Sequence, residues 1–125
     1  MGTFKIKNTE FGIGAVQFSI EDNLLNLEIV GNDDMFDELT EDDECEWNWA
    51  LYPPKIYFHG VPYTGKDIVV DMDFLNQYEI ALYMMEHNDF IGTLKLSDNS
   101  IDICGQVEID GESLPLVINI EKKNL

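Results

Sequence analysis

Short runs in which apolar and polar residues alternate recur from one end of this chain to the other, and they restrict it to an antiparallel β architecture. Phe4 and Ile6 alternate with Thr3, Lys5 and Lys7. Val16, Phe18 and Ile20 alternate with Gln17 and Ser19; after the polar turn Glu21-Asp22-Asn23, Leu25, Leu27 and Ile29 alternate with Asn26 and Glu28. Successive side chains leave a strand on opposite faces, so this pattern describes strands with one face on a core and one in water. The last third carries four more candidates, at 78–86, 90–96, 101–109 and 114–120. They are separated by His87-Asn88-Asp89, Ser97-Asp98-Asn99-Ser100 and Asp110-Gly111-Glu112. Asp-Gly is among the strongest hairpin signals. Both faces are apolar over 80–85, which puts that strand between layers or under another element.

The middle of the chain is less regular. Gly12 and Gly14 suggest a bend or bulge before the first hairpin. Trp47, Trp49 and Leu51 alternate with Glu46, Asn48 and Ala50, predicting a strand that Pro53-Pro54 ends. Ile56 and Phe58 continue the pattern against Tyr57 and His59. The stretch 60–65 reads as a loop, 67–71 as a strand and 73–77 as one helical turn. Only the segment 32–46 has helical spacing, from Met35, Phe36 and Leu39, with Asn32 or Asp33 as cap. Asp33, Asp34 and Asp37 suit the N-terminal dipole, whereas Glu41 to Glu44 oppose the C-terminal end, so one or two turns should give way to an exposed acidic loop. The expected fold is mainly β, an antiparallel β-sandwich or small β-barrel with at most one or two short helical turns, in a single domain over 1–125. With 125 residues, 45% of them apolar, such a chain fills a core without disulfides or metals.

Charge decides which partners suit the chain. It has 25 Asp plus Glu against seven Lys and no Arg, a formal charge of −18. Thirteen of those acids lie between Lys7 and Lys55, where there is no basic residue. Nucleic acid and anionic membranes are excluded as direct partners, because Lys and Arg must neutralise their phosphates. Cationic proteins, by contrast, are steered towards such a surface. The opening residues lack the apolar core of a signal peptide, and no apolar run approaches the roughly 18 residues of a membrane span, so a cytoplasmic location is expected. Cys45 and Cys104 are then expected as free thiols, with Glu44 and Glu46 disfavouring a thiolate at Cys45.

No residue pattern supplies a catalytic centre. Calcium loops read from Asp71 or Asp98 fail at the fifth or sixth position and at the twelfth, where Leu82 and Ile109 stand. Cys45, Cys104, His59 and His87 are not at zinc-ligand spacing. Ser19, Ser97, Ser100 and Ser113 lie outside any nucleophile elbow, and Gly12-Ile13-Gly14 is only a fragment of a dinucleotide motif. No enzyme activity, cofactor or metal is expected.

The remaining feature is an acidic segment beside aromatics. Asp33, Asp34, Asp37, Glu38, Glu41, Asp42, Asp43, Glu44 and Glu46 would steer a basic partner, and Trp47, Trp49 and Tyr52 would anchor it. Alternating tryptophans are also ordinary core residues, and both roles hold if one face is buried. A compact, acidic chain without a signal segment or catalytic set, bearing an acidic and aromatic surface, resembles the small immunity proteins that bacteria make against their own toxins. The resemblance is to a class, and no motif carries a functional residue over. It implies a stoichiometric inhibitor whose carboxylates occupy the cationic site of a basic toxin domain, often a nuclease, with the inhibitor a monomer or weak homodimer. A small-ligand β-barrel carrier, with a cavity lined by Phe18, Leu27, Phe58, Ile80 and Leu94, and a Ca²⁺-dependent binding module are the alternatives.

Overall fold

The computed structural model describes residues 2–47 and 49–121. Two antiparallel sheets face each other. The first has six strands in the order β2 (Thr9–Glu10), β1 (Gly2–Ile6), β11 (Glu112–Glu121), β10 (Ser100–Ile109), β9 (Phe90–Leu96) and β6 (Ile68–Val70). The second has five, ordered β3 (Ala15–Glu21), β4 (Leu24–Val30), β5 (Lys55–Pro62), β7 (Glu79–Met84) and β8 (Glu86–Asn88). The sheets stay open rather than closing into a barrel, and the architecture is a β-sandwich. Leu27, Phe58, Ile80 and Leu94 are buried between the layers within one continuous apolar cluster, and Phe18 packs against its rim.

The alternation reaches the structure most directly in β10 and β11. Their register runs unbroken from Ser100↔Glu121 to Ile109↔Glu112. Ile101, Ile103, Val107 and Ile109 face inward with Leu114, Leu116, Ile118 and Ile120, all buried. Two hairpins have two-residue loops with both residues at positive φ, Asp22-Asn23 at 53° and 63° and Asp110-Gly111 at 52° and 79°. That is the type I′ turn, whose twist matches the strands it joins. Pro115 lies inside β11, a strand with neighbours on both sides. It falls one residue past the Ile6↔Leu116 pair that ends β1, and its carbonyl accepts from the Lys7 N–H at 2.8 Å. The imide nitrogen therefore sits where the β1 ladder has already run out.

Three expectations are corrected. The segment 46–52 is not a strand: the Cys45 N–H bonds to the Asp42 carbonyl and the Ala50 N–H to the Trp47 carbonyl, both at 3.0 Å, and the described residues there form successive turns. β5 continues through Gly60 to Pro62, where a loop was expected. Its register with β4 shifts between Leu25 and Leu27, and Gly60, at φ 62°, supplies the left-handed residue of that bulge. The turn after β7 falls at Met85, φ 69°, rather than at His87-Asn88-Asp89, so that 86–88 pairs back as β8. A helical turn forms as α2 (Met72–Leu75), one residue earlier than its predicted start, because the Asp71 carboxylate caps the Phe74 N–H at 2.9 Å. No helix among the described residues is long and apolar enough to cross a membrane.

Candidate protein-binding surface

Between β4 and β5 the chain leaves the sandwich at Gly31 and returns at Pro54. Val30 and Lys55 are paired neighbours, and the Gly31 N–H bonds to the Pro54 carbonyl at 2.9 Å, closing the base of the excursion. The outgoing limb is α1 (Asp33–Thr40). Asn32 caps it, its Oδ1 accepting from the Met35 N–H at 2.9 Å, and Asp33 and Asp34 occupy the positive first turn. Phe36 is buried and Leu39 half-buried, which fixes the inner face. Gly12, at a left-handed φ of 68°, lies under the exposed Met35 side chain of the helix. Asp33, Asp34, Asp37 and Glu38 are left in solvent, as are Glu41, Asp42, Asp43, Glu44 and Glu46.

The structure places the aromatic residues differently from one another. Trp47 is turned inward with 3% of its surface exposed. Its Nε1–H donates to Thr9 Oγ1 at 2.7 Å, and its ring meets Phe11 edge-on at 5.4 Å. It therefore holds the acidic segment to the sandwich and has no surface to offer a partner, contrary to the anchoring role expected for it. Trp49, packed 6.1 Å from Trp47, is exposed, and so are Leu51, at 68%, and Tyr52. These three follow the carboxylates in sequence on the returning limb. Lys7 Nζ approaches Glu46 Oε2 at 3.5 Å, an exposed pair that contributes little. Cys45 is half-buried and Cys104 exposed on β10, both as free thiols. Among the described residues no three His, Cys, Asp or Glu side chains gather as metal ligands.

A second polar group, which the spacing of residues along the chain does not reveal, lies on the outer face of the five-stranded sheet. It brings together both histidines of the chain. His59 Nε2 is 2.9 Å from Glu28 Oε1, and His59 Nδ1 is 3.6 Å from Glu79 Oε2. The Tyr57 ring stacks on His59 at 4.5 Å, and its hydroxyl hydrogen-bonds His87 Nδ1 at 2.8 Å. Burial, and secondarily the charge of Glu79, raise the Tyr57 pKa above 10.0. The neutral phenol is thus favoured in the folded state. It contributes stability below pH about 10 that is lost as pH rises through the folded value. Phenolate absorbance of the native chain, less that of Tyr57→Phe, should show one group titrating above 10.0; a difference centred at or below 10.0 would contradict the burial argument. No family model, curated protein or solved structure matches the chain.

Proposed function

We propose that this chain is a stoichiometric protein inhibitor of the immunity class, acting in the cytoplasm to neutralise a cognate basic bacterial toxin by covering its active site. One observation carries the reading: nine exposed carboxylates share a single excursion with exposed Trp49, Leu51 and Tyr52. The carboxylates accelerate encounter with a cationic surface, and the aromatic and apolar side chains supply desolvated contact once the two proteins meet. An inhibitor that must intercept a harmful enzyme gains from a fast association rate in particular. The sandwich contributes a rigid base, since Phe36 and Trp47 fasten both limbs of the excursion to Phe11.

The test uses a basic toxin co-purified from the native cell and shown to lose activity at one equivalent of this protein. Replacing Asp33, Asp34, Asp37 and Glu38 together by Lys should slow association at low ionic strength by about 10- to 1,000-fold. Dissociation should change less. Equal association rates for the two proteins at low salt would sink the steering mechanism.

A further inference from the structure

On the returning limb of the excursion, Trp49 borders a hollow of about 280 Å³ whose other walls belong to the sandwich. Met84, Met85, Glu86 and Asn88 form one wall, from the tight turn between β7 and β8, and Ile109 and Asp110 form another, from the end of β10. These two walls are tied together, the Glu108 N–H donating to the Asp89 carbonyl at 3.1 Å. Asn88 Nδ2 donates to the carbonyls of Leu82 and Glu86 at 3.2 and 3.0 Å, so an incoming group meets this amide only as an acceptor. Met84 and Ile109 are buried and floor the hollow, whereas Trp49 and Met85 are exposed at its rim. Met85 keeps its place at φ 69°, a left-handed conformation that a glycine would adopt at less cost. Strain of that kind clusters at ligand clamps, and here it keeps a thioether side chain on the same rim as the indole.

The lining combines two chemistries. Trp49, Met84, Met85 and Ile109 are apolar, Glu86 and Asp110 bring negative charge, and none of the lining side chains is basic. A wholly apolar occupant would leave the two carboxylates desolvated and uncompensated, and an anion would meet them as like charges. The volume falls below the ~300–1,000 Å³ usual for pockets that hold free small molecules, and it suits one long side chain. We infer that this hollow seats one arginine of the basic partner protein. The aliphatic stem lies along Met84, Met85 and Ile109, the guanidinium plane stacks on the Trp49 indole, and its N–H groups donate to Glu86 and Asp110. Arginine suits these walls better than lysine, because a planar fork stacks and reaches two carboxylates at once, whereas an ammonium is a compact charge that holds its water tightly. A second copy of this chain cannot supply the group, since the sequence contains no Arg. The inference rests on the reading of the chain as an inhibitor of a basic protein and names the side chain by which it grips that protein.

The test titrates the intact protein with end-blocked Gly-Arg-Gly, Gly-Lys-Gly and Gly-norleucine-Gly peptides, read by NMR at the methionine methyls and the tryptophan indole N–H groups. The arginine peptide should give saturable shifts at Met85 and Trp49 and bind about tenfold more tightly than the norleucine peptide, with the lysine peptide between them. A double variant, Glu86→Gln with Asp110→Asn, should lose that preference. Asn is at home in the left-handed position that Asp110 occupies at φ 52°, so the hairpin survives the change. The absence of saturable shifts, equal binding by the norleucine or lysine peptide, or an unaltered preference in the double variant would overturn the inference. A basic toxin that the double variant inhibits as tightly as the native protein does would sink this inference but not the inhibitor reading. Saturable arginine binding with no basic toxin inhibited would support the socket and sink the inhibitor reading instead.

Discussion

Phe11→Ala is expected to lower the unfolding free energy by about 3–5 kcal/mol, the range for truncating a buried Phe. Phe11 belongs to no strand, yet it is fully buried and its ring reaches Phe4 at 6.4 Å, Phe36 at 6.5 Å and Trp47 at 5.4 Å. Those neighbours come from β1, from α1 and from the limb that returns to β5. Its backbone adds to the junction, with its N–H on the Phe4 carbonyl at 2.7 Å and its carbonyl accepting from the Asn32 N–H at 3.0 Å. The resulting cavity would open on three elements at once, and α1, which has only one fully buried residue of its own, would lose its seat first. Chemical denaturation measures the loss, and amide exchange locates it: 33–50 should exchange faster than β10 and β11. Leu51→Ala, at an exposed position, should stay within about 0.5 kcal/mol of the native protein. Uniform acceleration of exchange across both sheets would argue against Phe11 as the point of attachment.

Gly105→Ala should also be severe, at the upper end of the ~1–3 kcal/mol that overpacking costs. Gly105 and Gly92 are cross-strand partners in β10 and β9. A side chain at Gly105 would run into the Ile91 carbonyl and come within 2.6 Å of the Gly92 Cα. At Gly92 it would meet the Cys104 carbonyl and approach Phe90 Cζ at 2.8 Å. Apart from the Phe90 ring these obstacles are backbone, which cannot rotate away. The paired glycines leave room for Phe90, whose ring crosses the core to pack edge-on against Phe58 at 6.1 Å. Gly111→Ala is the control. It meets nothing within 4 Å and costs only the left-handed backbone at φ 79°, about 1 kcal/mol. Denaturation midpoints should therefore fall further for Gly105→Ala than for Gly111→Ala; the reverse order would rule out close strand approach as the reason for the glycine.

The sheets were legible because most strands bury one face and expose the other. β3, β4, β10 and β11 each show this in their residues, and Asp110-Gly111 marks its hairpin in advance. The alternation of Trp47, Trp49 and Leu51 misled because it was satisfied by another geometry. Trp47 and Ala50 are the buried pair, three residues apart and joined by a turn, while Trp49 and Leu51 project outward. Met85 gives no turn signal, being an unbranched apolar residue held at positive φ by the pairing around it. The acidic part of the candidate surface was readable because nine carboxylates have no place in a core. The Tyr57–His87 and His59–Glu28 contacts were not, since their members are 30 and 31 residues apart and meet only through strand order. The same holds for the hollow beside Trp49, whose walls come from the returning limb, the β7–β8 turn and the end of β10.

The pairing of Val30 with Lys55 has a consequence for how such a molecule diversifies. The two strand ends already meet, and the Gly31–Pro54 hydrogen bond closes the gap between them. Loop-closure entropy grows only logarithmically with length, so what lies between 31 and 54 can be lengthened or rewritten at small cost to the pairing itself. The requirement on any replacement is local: it must return apolar side chains to the places of Phe36 and Trp47 beside Phe11. One sandwich could in that way serve as a common mount for exchangeable recognition segments, each with its own charge pattern, while the strands beneath it keep their register.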